Sequence, residues 1–323
     1  MWKGSEIRLI ILVWLSTRRC WRKYAQGGNL GAIRVFVGCD PNDCDLEQMM
    51  VLEYSIKKHS SKPVEIHWMQ LSRDPQSFWF SDPATQQGWR TDTWATPFSG
   101  FRWGIPAFCD FAGKAIYMDA DVIVLSDIAE LWDTPFEPGK VVMAKGGGES
   151  WRFCVSMWDC AAAKSQLPAL ADLRGKPETH QQLRKHYKRH TETIQPFDTQ
   201  FNNIDGEGVP VEQIKILHYS DMGTQFSHGR AIPRLQAEGG THWFDGAVMA
   251  HPRQDLQALF DDYYQQALDA GYSLDNYRMK QVFGVFPKHS QKGYTGNGVT
   301  RPKRWWERLG LFKRSSKRAR TTA

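Results

Sequence analysis

The sequence lacks several patterns that would assign it at once to a common class. None of its six cysteines forms a Cys-x-x-Cys pair, which argues against a structural zinc site and leaves a reducing cytoplasm as the expected compartment. The glycines at 146–148 are not followed by the Gly-Lys-Ser/Thr of a phosphate loop. The apolar stretch at residues 7–15 contains Arg8 and is too short to cross a bilayer, so we expect no transmembrane helix there.

Positive charge is concentrated in one segment of the chain. The formal net charge is +6, but residues 301–323 hold nine Lys and Arg residues and a single acid, Glu307. The rest of the chain is therefore close to neutral, and we expect no nucleic-acid partner. A helix over residues 301–320 would place four apolar side chains on one face, namely Trp305, Trp306, Leu309 and Phe312. This pattern predicts an interfacial helix on an anionic membrane or a disordered basic tail.

The remaining composition is typical of a globular protein with a sizeable core. The chain has 323 residues, of which 41% are hydrophobic and 24% charged. We expect one domain over residues 31–285, followed by the basic tail at 286–323. Residues 1–30 are interpreted as an N-terminal extension that is disordered or wrongly assigned. The 14 tryptophans pack in the core or line a cleft for a flat or sugar ligand.

Strand-like and helix-like segments alternate along the chain. The predicted strands are Ile33–Gly38, Val64–Met69, 141–144 and 214–218, and the predicted helices are 46–58, 102–112, 178–190 and 254–270. This alternation predicts an α/β fold with a mainly parallel central sheet and helices on both faces. Residues 72–99, which are rich in Trp, Asp, Pro and Thr, are expected to form an extended excursion outside the core.

Residues 115–125, with the sequence AIYMDADVIVL, place two aspartates between apolar segments. Carboxylates flanked so closely by apolar residues are costly unless they are paired or bind a metal. A single residue separates Asp119 from Asp121, so both can reach Mn²⁺ or Mg²⁺ if the backbone turns between them. Asp119, like Asp40 after the first strand, follows the carboxyl end of a predicted strand, where α/β sheets bind ligands.

Two other interpretations of this aspartate pair remain open at this point. The aspartates could be solvated at a strand-end turn. An Asp-x-Asp after a hydrophobic strand also opens the fold of the aspartate-nucleophile phosphatases, in which Asp261 and Asp262 would be the late acidic pair. That motif comes early in its domain and has Thr or Val where this chain has Ile123, and the late pair here falls on the polar side of an amphipathic helix.

The run FRWGIPAFCDFAGKAIYMDADVIVLSDIAELW, at residues 101–132, resembles glycosyltransferase family 8. The positions that match the family's motif, in order, are Arg102, Pro106, Asp119, Asp121 and Leu131-Trp132. The resemblance extends more weakly over residues 33–271. It implies a GT-A-type, Rossmann-like nucleotide-sugar-binding domain and an enzyme that uses a nucleotide-sugar donor, mostly a UDP-sugar, with Mn²⁺ or Mg²⁺ as its cofactor.

The resemblance also implies roles for residues outside the motif. Asp40 and Asn42 are similar to the residues that hold the nucleoside of the donor. Arg102 would add positive charge near the donor. His218, which ends an apolar strand, is similar to the histidine that completes the metal site with the two aspartates.

Near the reacting sugar, the family has an Asp-Gln pair ahead of an asparagine. Gln200 fits the glutamine, but Thr199 holds the place of the acid, and Asp198 would substitute for it after a shift of one residue. The resemblance implies retention at the anomeric carbon, and a front-face route with Gln200 beside the sugar is expected because no carboxylate is an obvious nucleophile. Residues 152–158 replace the Asn-x-Gly segment near the acceptor, so the acceptor is where we expect this protein to differ.

The sequence therefore predicts a hexosyltransferase with a glycan or lipid-linked acceptor, as in polysaccharide biosynthesis. The basic tail suits a peripheral position at the inner face of the cell membrane. The alternatives are an Asp-x-Asp phosphohydrolase and a non-catalytic nucleotide-sugar-binding protein that keeps the fold. The sugar, the particular acceptor and the oligomeric state have no signature in the sequence.

Overall fold

The computed structural model of the protein describes residues 31–91, 93–94, 96–146, 151–244 and 246–284. The predicted extension at 1–30 and the predicted tail at 286–323, with its interfacial helix, lie outside these residues, so the division into three segments stays a prediction. The strands are β1 (Ile33–Gly38), β2 (Val64–Met69), β3 (Ser81–Asp82), β4 (Gln87–Gly88), β5 (Lys114–Asp119), β6 (Val122–Val124), β7 (Val142–Lys145), β8 (Arg152–Asp159), β9 (Ile194–Pro196), β10 (Asn203–Ile204) and β11 (Ile216–His218).

Seven α-helices accompany these strands in the described part of the chain. They are α1 (Leu46–His59), α2 (Ile105–Phe108), α3 (Ala129–Asp133), α4 (Leu170–Gly175), α5 (Thr179–Arg189), α6 (His228–Ala237) and α7 (Gln254–Asp269). Short 3-10 turns connect several of them, at Phe101–Gly104, Ala162–Ser165, Thr191–Thr193, Thr199–Asn202, Asp205–Glu207, Val211–Gln213 and Leu274–Tyr277.

The central sheet has six strands in the order β2-β1-β5-β8-β7-β9. Strand β1 pairs in parallel with β2 and β5, and β7 pairs in parallel with β9. Only β8 runs the other way, because it is antiparallel to both of its neighbours, β5 and β7. Five strands therefore share one direction, which confirms the predicted α/β fold with a mainly parallel sheet.

Alternation along the strands fills a core on each face of this sheet. In β1 and β5, Val35, Val37, Ile116 and Met118 face the side covered by α1 and α7, whereas Phe36 and Tyr117 face the opposite side. The second side is covered by α2, α4, α5 and residues 78–101, a segment rich in aromatic side chains. Helices thus lie on both faces, as the strand and helix alternation predicts.

The expectation that residues 72–99 stay outside the core is wrong. Their aromatic side chains are buried in one cluster, which contains Phe78, Trp79, Trp89, Trp94 and Phe98. Antiparallel pairing of β3 with β4 folds the segment back on itself, and the Trp89 indole donates a hydrogen bond to the carbonyl of Phe78 (2.8 Å). The polar residues between the aromatics lie in the turns of this segment. The high average polarity of the segment therefore did not reveal that its large aromatic side chains are buried.

Other predicted boundaries differ from the structure in a few places. The helix expected over 102–112 is a 3-10 turn followed by α2, which ends at Phe108 because Asp110 and Phe111 adopt left-handed φ angles of 51° and 54°. The predicted strand at 214–218 begins two residues later, at Ile216. Strand β8 and helix α6 have no predicted counterpart. Among the described residues, no helix combines the length and the apolar character needed to cross a bilayer.

Candidate functional site

Two aspartates and a histidine meet where β5, β6 and β11 end or begin. Asp119 is the last residue of β5, and Asp121 directly precedes β6. Strand β11 pairs antiparallel with β6 and places His218 opposite Val122, next to Asp121. The Nε2 atom of His218 lies 3.2 Å from Oδ1 of Asp121, and the backbone N–H of Tyr219 donates to the carbonyl of Asp121 at 3.1 Å. The sequence prediction of these three residues as one group agrees with this geometry, although their roles stay a prediction.

Arg102 and Tyr117 hold the carboxylate of Asp119. The Nη2 atom of Arg102 is 3.2 Å from Oδ1 of Asp119 and also 3.2 Å from the Tyr117 hydroxyl. The Tyr117 hydroxyl donates to the same carboxylate oxygen. Burial raises the pKa of Asp119, and the nearby guanidinium of Arg102 offsets part of that rise. Burial also raises the pKa of Tyr117, so its hydroxyl stays protonated and remains a donor.

Cys154, which the sequence did not single out, lies at the same place. A carboxylate oxygen of Asp119, the sulfur of Cys154 and a ring nitrogen of His218 all lie within 4.8 Å of one another. Burial alone raises the pKa of the Cys154 thiol, but His218 outweighs it and the net pKa is lowered. Burial alone lowers the pKa of His218, but Cys154 and Asp121 outweigh it and raise that pKa. The group can therefore hold charge inside the fold.

Gln225 orients Asp121 from the other side. Its Nε2 donates to Oδ2 of Asp121 at 2.8 Å and to the carbonyl of Tyr219 at 3.2 Å. Its Oε1 accepts a 2.8 Å hydrogen bond from Gln48 of α1, so the amide orientation is set. Each oxygen of Asp121 thus has one partner, His218 on Oδ1 and Gln225 on Oδ2.

Asp40 and Asn42 lie at the carboxyl end of β1. Asp40 has no exposed surface, and burial raises its pKa to about 6. Its Oδ1 accepts from the backbone N–H of Asn42 (2.7 Å), whereas its Oδ2 has no hydrogen-bond partner among the described residues. The Asn42 amide is engaged differently, because it exchanges two hydrogen bonds with the backbone of Gly284 (2.8 and 2.9 Å).

Gln200 lies in the 3-10 turn at Thr199–Asn202, and Asp198 directly precedes this turn. The carboxylate of Asp198 caps this turn by accepting from the backbone N–H of Gln200 (3.0 Å), and it lies 3.8 Å from Nζ of Lys215. Asp198 is therefore occupied as a cap and is about half exposed. The same turn reaches the aspartate and histidine group through Asn202, whose Nδ2 is 3.2 Å from Sγ of Cys154.

The late acidic pair of the phosphatase alternative lies elsewhere. Asp261 forms a 2.8 Å ion pair with Arg230, and Asp262 accepts a 2.7 Å hydrogen bond from Gln266 within α7. Asp261 is thus engaged by α6 and Asp262 within α7, and neither shows a hydrogen bond or ion pair to Asp119 or Asp121 among the described residues.

A pocket of about 240 Å³ opens beside the group. Its lining residues are Ser99, Arg102, Trp103, Trp151, Arg152, Phe153, Cys154, His180 and Arg184. Three of them are arginines and three are large aromatics, and no carboxylate is among them. The pocket is therefore suited to a ligand with flat apolar faces and negative charge.

The residues present fit a divalent cation. Asp119 and His218 have ligand atoms within 4.8 Å of each other, and Asp121 lies 3.2 Å from His218, so two carboxylates and an imidazole offer a donor set for Mn²⁺, Mg²⁺ or Zn²⁺. His218 is only 4% exposed, and its Nδ1 has no hydrogen-bond partner among the described residues, so a buried ligand atom is left over.

Comparison with known proteins identifies the family that this arrangement resembles. Residues 49–169 match the family described as Glycosyl transferase family 8. Over 102 residues the chain is 37% identical to "Protein CDI" of Arabidopsis thaliana, covering 31% of this chain and 36% of that protein, so the chain spans little more than a third of that relative's length.

Solved structures of glycosyltransferases are also similar. The apo form of the glycosyltransferase GlyE of Streptococcus pneumoniae TIGR4 aligns with a TM-score of 0.47 and 16% identity, covering 79% of this chain and 66% of that one. The galactosyltransferase LgtC, in complex with donor and acceptor sugar analogues, aligns with a TM-score of 0.46 and 10% identity, covering 72% of this chain and 96% of that one. The match confirms the resemblance to glycosyltransferase family 8 over residues 49–169, a segment that contains Arg102, Asp119, Asp121 and Cys154.

Proposed function

We propose that the protein is a metal-dependent glycosyltransferase that moves a sugar from a UDP-sugar to a glycan or lipid-linked acceptor, with retention at the anomeric carbon. The observation that carries this proposal is the meeting of Asp119, Asp121 and His218 at strand ends. The two aspartates lie within the segment that matches family 8, and His218 lies outside it. The partly buried carboxylates and the unpaired histidine nitrogen support a cation there, and strand ends are where such sheets bind ligands.

In this proposal, Asp119, Asp121 and His218 hold Mn²⁺ or Mg²⁺. When bound, the ion supplies positive charge against the diphosphate that leaves the donor. Tyr117 and Arg102 hold the side chain of Asp119 in place, and Gln225 does the same for Asp121. Partners of this kind fix the orientation of metal-ligating groups before the ion arrives.

Asp40 and Asn42 bind the nucleoside in this proposal. The unpaired, buried Oδ2 of Asp40 is an acceptor that a donor group of the base or ribose would satisfy. Asn42 serves the same ligand only if its amide leaves Gly284, so we assign it the weaker contribution. Arg102 contributes a fixed guanidinium between the metal ligands and the pocket.

Gln200 is the residue that we propose beside the reacting sugar. Asp198 acts as its positioning residue, because the Asp198 carboxylate accepts from the Gln200 backbone and caps the turn. This assignment replaces a direct catalytic role for Asp198. The carboxylate's second partner, Lys215 at 3.8 Å, further stabilises the cap.

The pocket beside Arg102 receives the acceptor in this proposal. Sugar rings stack on aromatic side chains, here Trp151 and Phe153, and guanidinium groups bind phosphate or carboxylate. A phosphate-bearing lipid-linked glycan satisfies both features. We expect the double change of Arg152 and Arg184 to alanine to raise KM for such an acceptor, whereas Arg189→Ala, on α5 but outside the pocket lining, should leave KM unchanged.

The decisive experiment measures slow hydrolysis of a panel of nucleotide-sugars with Mn²⁺, since donor hydrolysis needs no acceptor. Asp119→Asn and Asp121→Asn should abolish it, and Asp133→Asn, an exposed acid paired with Lys62, should not. Full activity of either site variant would falsify the assignment. Phosphate release from a simple phosphomonoester without nucleotide-sugar would support the phosphohydrolase instead, and UDP binding without turnover would support a binding protein.

The basic segment 301–320 would attach the enzyme peripherally to an anionic membrane. This part of the proposal rests on the sequence pattern alone, because the segment lies outside the described residues. Flotation with vesicles containing anionic lipid, with and without residues 300–323, tests it. Equal flotation of both forms would remove the membrane proposal, including its placement at the inner face of the cell membrane.

A further inference from the structure

Strand β8 brings a thiol to the proposed metal site. Val155 of β8 lies opposite Met118 of β5, so Cys154 and Asp119 are the next residues along the two antiparallel strands. The sulfur, a carboxylate oxygen of Asp119 and a ring nitrogen of His218 are all within 4.8 Å of one another. Three side chains of ligand type from three separate strands therefore converge on one point.

Cys154 differs from the other cysteines in the described part of the chain. All five described cysteines are free thiols, but Cys39, Cys44, Cys109 and Cys160 are buried, whereas Cys154 is partly exposed. Its sulfur contacts the Asn202 amide, at 3.2 Å from Nδ2 and 3.6 Å from Oδ1, and also interacts with His218. An amide contact of this kind holds the sulfur in place and leaves it accessible to a ligand.

His218 supplies a second and independent observation. The residue is only 4% exposed, and its Nδ1 lacks a hydrogen-bond partner among the described residues. Its Nε2 is engaged by Asp121 at 3.2 Å. Buried polar atoms without a partner are rare in native proteins and often mark the place of an ion or water. The sulfur of Cys154 and the ring of His218 therefore offer atoms that could bind a metal ion and are not fully engaged by other residues of the fold.

Sulfur changes which ions such a site prefers. Oxygen-only sites suit Mg²⁺ and Mn²⁺, whereas thiolate with imidazole and carboxylate suits Zn²⁺ and Co²⁺. We infer that Cys154 is a sulfur ligand of the divalent ion held by Asp119 and His218, and that the site binds Zn²⁺ and Co²⁺ more tightly than the carboxylates and histidine alone would. Binding breaks the S–H bond, forms the metal–sulfur bond and releases one proton to solvent. This inference rests on the metal site of the proposed function.

Cobalt titration of the full chain tests the inference without reference to turnover. Co²⁺ should bind in a ratio of about one per chain and produce a thiolate-to-cobalt charge-transfer band in the near ultraviolet. Cys154→Ser should lose the band and weaken Zn²⁺ binding by roughly tenfold or more, as loss even of an outer-shell partner does. Cys44→Ser, a change at a buried cysteine outside the site, should keep both.

The outcomes separate this inference from the proposed function. Stoichiometric Co²⁺ binding without the band, or a band that persists in Cys154→Ser, overturns sulfur ligation and leaves the metal site standing. Failure of Co²⁺, Mn²⁺ and Zn²⁺ to bind overturns both.

A second experiment needs no variant. The unmutated protein is alkylated with iodoacetamide and analysed by peptide mass spectrometry. Zn²⁺ should protect Cys154 from alkylation, and unchanged labelling of Cys154 in the presence of bound Zn²⁺ overturns the inference.

Discussion

Replacing Asp40 by asparagine should stabilise the protein, and the gain should grow with pH. Burial raises the pKa of Asp40 from 3.8 to about 6, because the carboxyl has no exposed surface. One of its oxygens, Oδ2, has no hydrogen-bond partner among the described residues. Ionisation of this side chain is therefore unfavourable in the folded protein, and asparagine removes the charge. Its amide oxygen can still accept from the backbone N–H of Asn42, as Oδ1 of Asp40 does at 2.7 Å.

The size of the gain follows from the pKa difference. The folded-state pKa of about 6 lies above the unfolded value of 3.8. Below pH 3.8 the carboxyl is neutral in both states and does not lower the free energy of unfolding. As the pH rises from 3.8 through about 6, ionisation is opposed only in the folded protein, so the free energy of unfolding falls. The loss is about 3 kcal/mol near pH 8 and roughly half of that near pH 5. Asp40→Asn should therefore gain about 1 kcal/mol more at the higher pH than at the lower one.

Urea denaturation at the two pH values measures this difference. Asp74→Asn is a matched control, because Asp74 also accepts from the backbone N–H two residues later, Gln76 (2.9 Å), but is exposed. Its free energy of unfolding should change little, and similarly at both pH values. A gain in Asp40→Asn that is equal at both pH values, or larger in acid, would refute the argument that burial dominates this carboxyl.

Three further changes test the site and the core. Tyr117→Phe removes the hydroxyl that donates to Asp119 and should weaken Mn²⁺ binding by about tenfold in calorimetric titration; unchanged affinity would mean that Arg102 alone holds the carboxylate. Gln225→Leu should weaken the same affinity by roughly 10–100-fold through Asp121, with far-ultraviolet circular dichroism as the check that the fold is kept. Trp89→Ala should lower the free energy of unfolding by about 3–5 kcal/mol, because the side chain is 1% exposed within the aromatic cluster; a loss below about 1 kcal/mol would contradict its place in the core.

Elements with a strong local signal were predictable from the sequence. Strands β1 and β2 have the predicted bounds, because their apolar runs end at turn residues. Helix α7 ends one residue before its predicted end, since Gly271, with φ of 85°, stops it. Strand β8 was missed because it follows the glycines at 146–148 and contains Arg152 and Ser156, so no regular alternation marks it.

Some residues of the candidate site could be predicted from the sequence, and others could not. Asp119 and Asp121 are recognisable because charge between apolar runs needs a compensating partner. Tyr117 could have been found, since residues two apart on a strand point to the same face. Cys154 and Gln225 could not, because they approach the aspartates through strand pairing and helix packing between distant parts of the chain. Asp198 caps the turn that carries Gln200, a local role that the sequence analysis did not anticipate, and its place near the sugar stays a prediction.

The pairing of β6 with β11 also bears on how the protein folds. The aspartates come from the first half of the chain and His218 comes from the second, so the group forms only after a closure of about a hundred residues. Contacts of such long range form slowly, and helix α7 must still pack over β11 afterwards. A nascent chain that ends before β11 therefore presents both aspartates without His218, so the proposed metal site is complete only in the last stages of folding.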